Sequence, residues 1–252
     1  MLRDYTGYLR ELFTYSTYPF RPKNAPKTKF IIFSIGRTGG NLLASLLNSH
    51  REINCRDELL LKPVFSPEEY LKMNASLSVE DVYGFKLNTF HFRVQKINDP
   101  VAFVMNLVDQ RYQIIHLQRR NFLRMAISHL YAIHRKKFHH KSNQGQQSLI
   151  KMSVGIDELQ DELDLLEGYR IIEDSIIENV SSLSLYYEED LLNENCHQKT
   201  VDRITNFLEI PPDKVKTDYI KTTPSDLSSF IENYDEIKEY LSYTKYSKYV
   251  VE

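Results

Sequence analysis

The chain has 252 residues, 42% of them hydrophobic and 26% charged, and a formal net charge of −2. That length and balance suit one large α/β domain spanning 1–252 and exclude a chain disordered throughout. No apolar run approaches the ~20 residues of a membrane span, and MLRDYTGYLRELF carries charges where a signal peptide needs an apolar stretch. Cys55 and Cys196 stand in unrelated contexts, so neither a disulfide framework nor a zinc site is expected, and the compartment is read as cytoplasmic.

Residues 1–28, rich in Tyr and Pro, read as a helix followed by an extended arm. Lys29–Ile35 (KFIIFSI) is a β-branched and aromatic run that suits a buried strand. Leu42, Leu43, Leu46 and Leu47 then fall at helical spacing within Asn41–Asn48, which makes GRTGGN a strand-to-helix loop. Such a loop is a natural anion site, because its N–H groups turn inward and a helix N-terminus adds partial positive charge. Gly36, Gly39 and Gly40 permit close backbone approach, and Arg37 adds a full charge on a planar donor fork. Thr38 and Asn41 offer further donors and capping chemistry. The ATP-binding pattern G-x-x-x-x-G-K-[ST] is not met, which counts against an ATPase or kinase. A plain glycine turn into a helix is the other reading of the loop.

Ile53–Cys55 is a short strand, and CRDELL after it offers Asp57 and Glu58. Pro67–Met73 reads as a helix, Val82–Leu87 (VYGFKL) as a strand carrying Lys86, and Asn98-Asp99-Pro100 as the cap of a helix running through Gln110. Gln113–Leu117 (QIIHL) is a further strand and Phe122–Lys137 a long basic helix. The polar segment 138–148, which holds HHKSNQGQQS, reads as a mobile loop. Ile156, Leu159, Leu163 and Leu166 mark an amphipathic acidic helix, Leu183–Tyr187 a strand, and Thr200–Leu208 a helix. Strand–helix alternation of this kind gives a mostly parallel sheet covered on both faces.

Charge is uneven along this path. Between Asp109 and Asp157 there is no acid, against nine Lys/Arg and five of the eight histidines. From Asp157 to Glu194 there are thirteen acids and the single Arg170. The basic block either faces an anion or is one of two solvated faces that differ in sign. It lacks the interleaved aromatics of a nucleic-acid platform, and with a pI near 6.5 no nucleic-acid partner is expected. Within it, Arg120 ends a strand and Ser128 follows eight residues later inside a helix, a pairing that suits a phosphate monoester. Surface arginines beside a small packing serine are the other reading. His91, His116, His129, His134, His139 and His140 show no triad or metal spacing.

The two elements together resemble the nucleotide site of sulfotransferases that use 3′-phosphoadenosine-5′-phosphosulfate (PAPS). GRTGGNLL is similar to the family's 5′-phosphosulfate loop. RRNFLRMAIS is similar to its 3′-phosphate motif, whose arginine and serine stand as Arg120 and Ser128 do. GFKL, YYEEDLL, RITNFLEI and SDLSSFIENYDEI extend the resemblance from about Lys29 to Asp235, nearest to the bacterial branch that sulfates carbohydrates such as trehalose and lipopolysaccharide-type acceptors. The resemblance implies a three-layer α/β sandwich related to P-loop kinases and PAPS as co-substrate. It also implies adenosine 3′,5′-bisphosphate as product and no metal. The catalytic histidine that the animal cytosolic branch places two residues after a lysine is missing from Lys86-Leu87-Asn88. The carbohydrate branch uses a glutamate after the second strand instead, and Glu58 stands there, with Asp57 as its rival. Arg37 and Lys86 are the expected charge-stabilising partners, Tyr187 an adenine contact and Lys221 a 3′-phosphate contact. A nucleotide-dependent kinase with a degenerate loop and a non-catalytic nucleotide- or glycan-binding module are the alternatives.

Overall fold

The computed structural model describes residues 5–21, 23, 25–134, 150–219 and 226–250. The helices are α1 (Thr6–Thr17), α2 (Gly40–Asn48), α3 (Pro67–Ser76), α4 (Phe90–Gln95), α5 (Pro100–Asp109), α6 (Phe122–His134), α7 (Ile156–Ile177), α8 (His197–Phe207) and α9 (Tyr234–Ser242). The strands are β1 (Thr28–Ser34), β2 (Ile53–Arg56), β3 (Val82–Asn88), β4 (Tyr112–Gln118) and β5 (Ser182–Tyr186). The chain divides into two compact units, residues 1–118 with 171–217 and residues 119–170 with 218–252.

The first unit holds the sheet. Its five strands are all parallel in the order β2-β3-β1-β4-β5, so β1 is central and every connection crosses over through helical segments. Parallel strands buried on both faces read as continuous apolar runs, and β1 does. Ile31 and Phe33 face one way, into a core with Phe85, Leu87, Tyr70 and Leu71 of α3, and Phe103, Val104 and Leu107 of α5. Phe30 and Ile32 face the other, into a core with Ile115, Leu117, Leu43, Leu46 and Leu47 of α2, and Val201 and Ile204 of α8. The unit is therefore helix layer, sheet, helix layer. Local chemistry sets the helix starts. Pro67 and Pro100 occupy first-turn positions where no N–H is needed, and the Asp99 carboxylate accepts the Ala102 N–H at 2.9 Å.

The second unit is built around α6 and the first part of α7. Leu123, Ile127, Leu130, Tyr131, Leu159, Leu163, Phe230 and Ile231 are buried there, and the Tyr131 and Phe230 rings meet edge-on at 4.9 Å. Asn233 ties its segments together, donating to Val154 O at 2.9 Å and accepting the Val154 N–H at 3.0 Å. Segment 138–148 and the end of the basic helix at Arg135–Lys137 lie outside the described residues.

Candidate functional site

The glycine loop leaves the carboxyl end of the central strand. Of the four residues Gly36–Gly39, three have positive φ: Gly36 at 112°, Arg37 at 56° and Gly39 at 91°. An arginine held in the left-handed region costs about 1–2 kcal/mol, so the turn is over-determined by its surroundings. Gly39 is one reason. A Cβ there would lie 2.7 Å from the Tyr187 ring, which packs under the loop. Gly39 is also the N-cap of α2; it has no side chain to cap the helix, and the first turn holds no acid. Thr38 is buried at 1% exposure, and among the described residues its hydroxyl has no hydrogen-bond partner. A buried hydroxyl without a partner costs about 1–3 kcal/mol, which a bound anion would recover.

Next to this loop β3 supplies Lys86, which its register sets opposite Ile32 of β1. Its ammonium is buried and meets three oxygens: Asp57 Oδ1 at 2.6 Å, Glu58 Oε1 at 3.2 Å and the Oδ1 of Asn41. One cation thus joins the second residue of α2 to the CRDELL segment beyond β2. The other oxygen of Glu58 faces His91 Nε2 at 3.7 Å, longer than a hydrogen bond but within reach of the ring N–H dipole. His91 Nδ1 accepts the Asn88 N–H at 3.1 Å, so the ring carries its proton on Nε2, toward Glu58. Burial pushes the Glu58 carboxyl up, but His91 and Lys86 together outweigh it and hold the group at about 2. Burial, chiefly, pushes the His91 imidazole down. At neutral pH Glu58 is therefore a carboxylate and His91 a neutral imidazole. Asn88, at the K-x-H position, accepts the Ser34 hydroxyl at 2.8 Å and braces β1 against β3.

A cavity of about 340 Å3 opens beside Glu58, with Asp57, Arg56 of β2 and Arg10 of α1 among its lining.

The structure brings together Arg37, Thr38, Gly39, Gly40, Asn41, Lys86 and Glu58, all within the first unit. Asp57 shares Lys86 but is 80% exposed against 21% for Glu58, so the sheltered carboxylate is Glu58. Arg120 and Ser128 belong to the second unit. Asn121 caps α6, its side chain accepting the Arg124 N–H at 2.9 Å, so Arg120 sits just ahead of the cap and is exposed. Ser128, in the second turn of α6, is buried. Lys221 lies outside the described residues. His91 and Arg10 are site residues that the sequence did not single out. His91 stands 33 positions from Glu58 with no spacing to connect them, and Arg10 is one of many scattered surface cations. The only signal for His91 was its place three residues after Asn88.

No protein-family model and no curated protein matches the chain. Among solved structures, a sulfotransferase from Alicyclobacillus acidocaldarius superposes with a TM-score of 0.52 at 14% identity, covering 88% of this chain and 98% of that one. The mouse sulfotransferase SULT7A1 complexed with PAP also aligns, at 14% identity over 88% of this chain and 70% of that one, with a TM-score of 0.43. With its five-stranded parallel sheet flanked by helices, the chain has the sulfotransferase fold.

Proposed function

We propose that the chain is a sulfotransferase moving a sulfuryl group from PAPS to a hydroxyl of a carbohydrate or glycolipid acceptor. Fold alone does not assign activity, because one fold hosts many chemistries. The observation that carries the reading is the Lys86 bridge. A single buried ammonium touches both the helix that opens from the anion loop and the carboxylate that faces the acceptor cavity.

The residues present fit a phosphosulfate. The α2 N-terminus, the unpartnered Thr38 hydroxyl and the Arg37 guanidinium are a donor set for a dense anion. Bound there, PAPS supplies a sulfuryl group on a phosphate leaving group. Arg37 and the loop N–H groups hold that phosphate and stabilise its growing charge, the larger part of catalysis in a displacement of this type. Glu58 takes the acceptor hydroxyl proton. It is ionised at neutral pH, and of the two acids that line the cavity it is the one sheltered from bulk water. Lys86 holds Glu58 in place and offers positive charge beside the transfer. In the second unit, Arg120 and Ser128 are assigned to the 3′-phosphate.

Nucleotide preference tests the reading. By calorimetry the chain should bind adenosine 3′,5′-bisphosphate much more tightly than AMP, and Arg120→Ala should remove about 1.5–3 kcal/mol of that difference. Labelled sulfuryl transfer to a glycan and glycolipid panel then identifies the acceptor. Equal affinities for the two nucleotides would overturn the assignment.

A further inference from the structure

Helix α1 turns its apolar side to water. Gly7, Glu11 and Thr14 are its buried residues, while Leu9, Leu12 and Phe13 are 62%, 51% and 60% exposed. At about 100° per residue, Leu9, Leu12 and Phe13 fall within one arc and the three buried residues fall opposite. Phe20, just past the helix, continues the arc at 88% exposed.

The inverted seating has a cause. The Glu11 carboxylate accepts the Phe65 and Ser66 N–H groups at 2.5 and 3.0 Å and the Tyr15 hydroxyl at 2.7 Å, which anchors that side of the helix to the segment ahead of α3. At Gly7 any Cβ would collide with the Pro63 carbonyl, so the helix backbone lies directly on that segment. Polar bonds and a close backbone contact hold α1 down, and the apolar stripe is left over. Phe65 extends it, 68% exposed, with its ring 4.4 Å from Tyr8. A contiguous apolar patch of this kind marks a docking surface.

Charge identifies the partner. From Tyr5 to Lys23 the chain carries Arg10, Arg21 and Lys23 against one acid, Glu11, which is fully buried; Lys27, farther on, is paired with Asp81 at 2.7 Å. The Arg21 guanidinium lies 5.8 Å over the Phe13 ring, which sets a cation at the border of the stripe, and Lys23, also exposed, follows it two residues on. Glu69 of α3, which lies toward Tyr15, already has Lys72 at 3.8 Å. An apolar helix face edged by cations is the pattern that lies in the interface of an anionic bilayer. A second copy of the chain would bring the same cations together with no exposed acid on α1 to meet them. Among the described residues no helix is long and apolar enough to cross a membrane.

We infer that the exposed face of α1, with Phe20 and Phe65, docks the protein onto an anionic lipid surface. Arg10 of the same helix lines the cavity beside Glu58, so docking sets that cavity near the lipid. If the sulfotransferase reading holds, the acceptor is then a membrane-resident glycolipid. That last step rests on the proposed function; the docking does not.

Flotation of the full chain with vesicles tests the docking. With phosphatidylcholine–phosphatidylglycerol vesicles the wild type should float, and with phosphatidylcholine alone it should float less. The Leu12→Glu/Phe13→Glu double variant should lower the bound fraction by about tenfold or more. Arg21→Glu/Lys23→Glu should weaken binding to the anionic vesicles only. All four positions are exposed, so both variants should keep the wild-type circular dichroism and thermal midpoint. The inference is overturned if the wild type ignores anionic vesicles, or if flotation survives Leu12→Glu/Phe13→Glu. It is also overturned if sedimentation finds a wild-type dimer that this variant converts to monomer, since the face would then serve self-association. Flotation that persists in a chain unable to bind adenosine 3′,5′-bisphosphate would sustain the docking and remove the sulfotransferase reading.

Discussion

Replacing Glu58 by glutamine keeps the side chain's shape and removes its charge and basicity, and the structure sets the size of both effects. Burial raises the carboxyl pKa, and His91 and Lys86 pull it to about 2 from 4.5. That depression corresponds to about 3 kcal/mol of charge stabilisation in the folded state. That figure is a ceiling, because the side chain is 21% exposed and Lys86 keeps Asp57 at 2.6 Å when Glu58 is neutralised. A loss of about 1–3 kcal/mol at neutral pH is the expected cost of Glu58→Gln. Because the folded pKa is depressed, the stabilisation is present above about pH 4.5 and is lost as pH falls through about 2. The gap in thermal midpoint between wild type and variant should therefore be open at neutral pH and close under strong acid. Turnover should fall by roughly two to four orders of magnitude, the worth of a general base, with bisphosphate affinity nearly unchanged. Asp57→Asn, at an exposed carboxylate, should be far milder in both measurements. Near wild-type turnover in Glu58→Gln, or the reverse ranking of the two variants, would place the base elsewhere. A midpoint gap that persists at low pH would refute the charge argument itself.

Two further substitutions probe the supports of the site. Gly39→Ala forces a Cβ into the Tyr187 ring at a φ of 91°, and should cost about 2–4 kcal/mol in denaturant unfolding and abolish bisphosphate binding. His91→Phe leaves the buried Asn88 N–H without its acceptor, at a cost of about 1–3 kcal/mol. The same variant should raise the Glu58 pKa in a carbon-13 carboxyl titration; an unmoved Glu58 would mean that Lys86 alone holds it ionised.

Much of the fold was legible in residue order because the signals are local. The apolar run of β1, the Leu spacing of α2 and the Asp99-Pro100 start of α5 are each written in adjacent residues, and each element formed where its period predicted. The glycine loop was legible for the same reason, since strand, turn and helix are contiguous. Elements with too little period escaped. Helix α4 has six residues, and the π-turn at Tyr187–Leu191 takes Tyr187 out of the strand in which its aromatic run had placed it.

What only the tertiary structure decided is which distant segments meet. Phe30 stands beside Gly84 and Ile115 beside Leu183 because of strand order and register, which depend on burying both sheet faces at once. That register carries Lys86 to Asn41, Asp57 and Glu58, and through Glu58 to His91; no spacing in the chain encodes the meeting. Helix α1 is the clearest case. A wheel drawn from its sequence sends Leu9, Leu12 and Phe13 inward, because burying apolar surface is the dominant gain in folding. The structure turns them out, because the opposite side of the helix carries the fully buried Glu11 carboxylate, which accepts the Phe65 and Ser66 N–H groups, and the Gly7 backbone, which lies against Pro63.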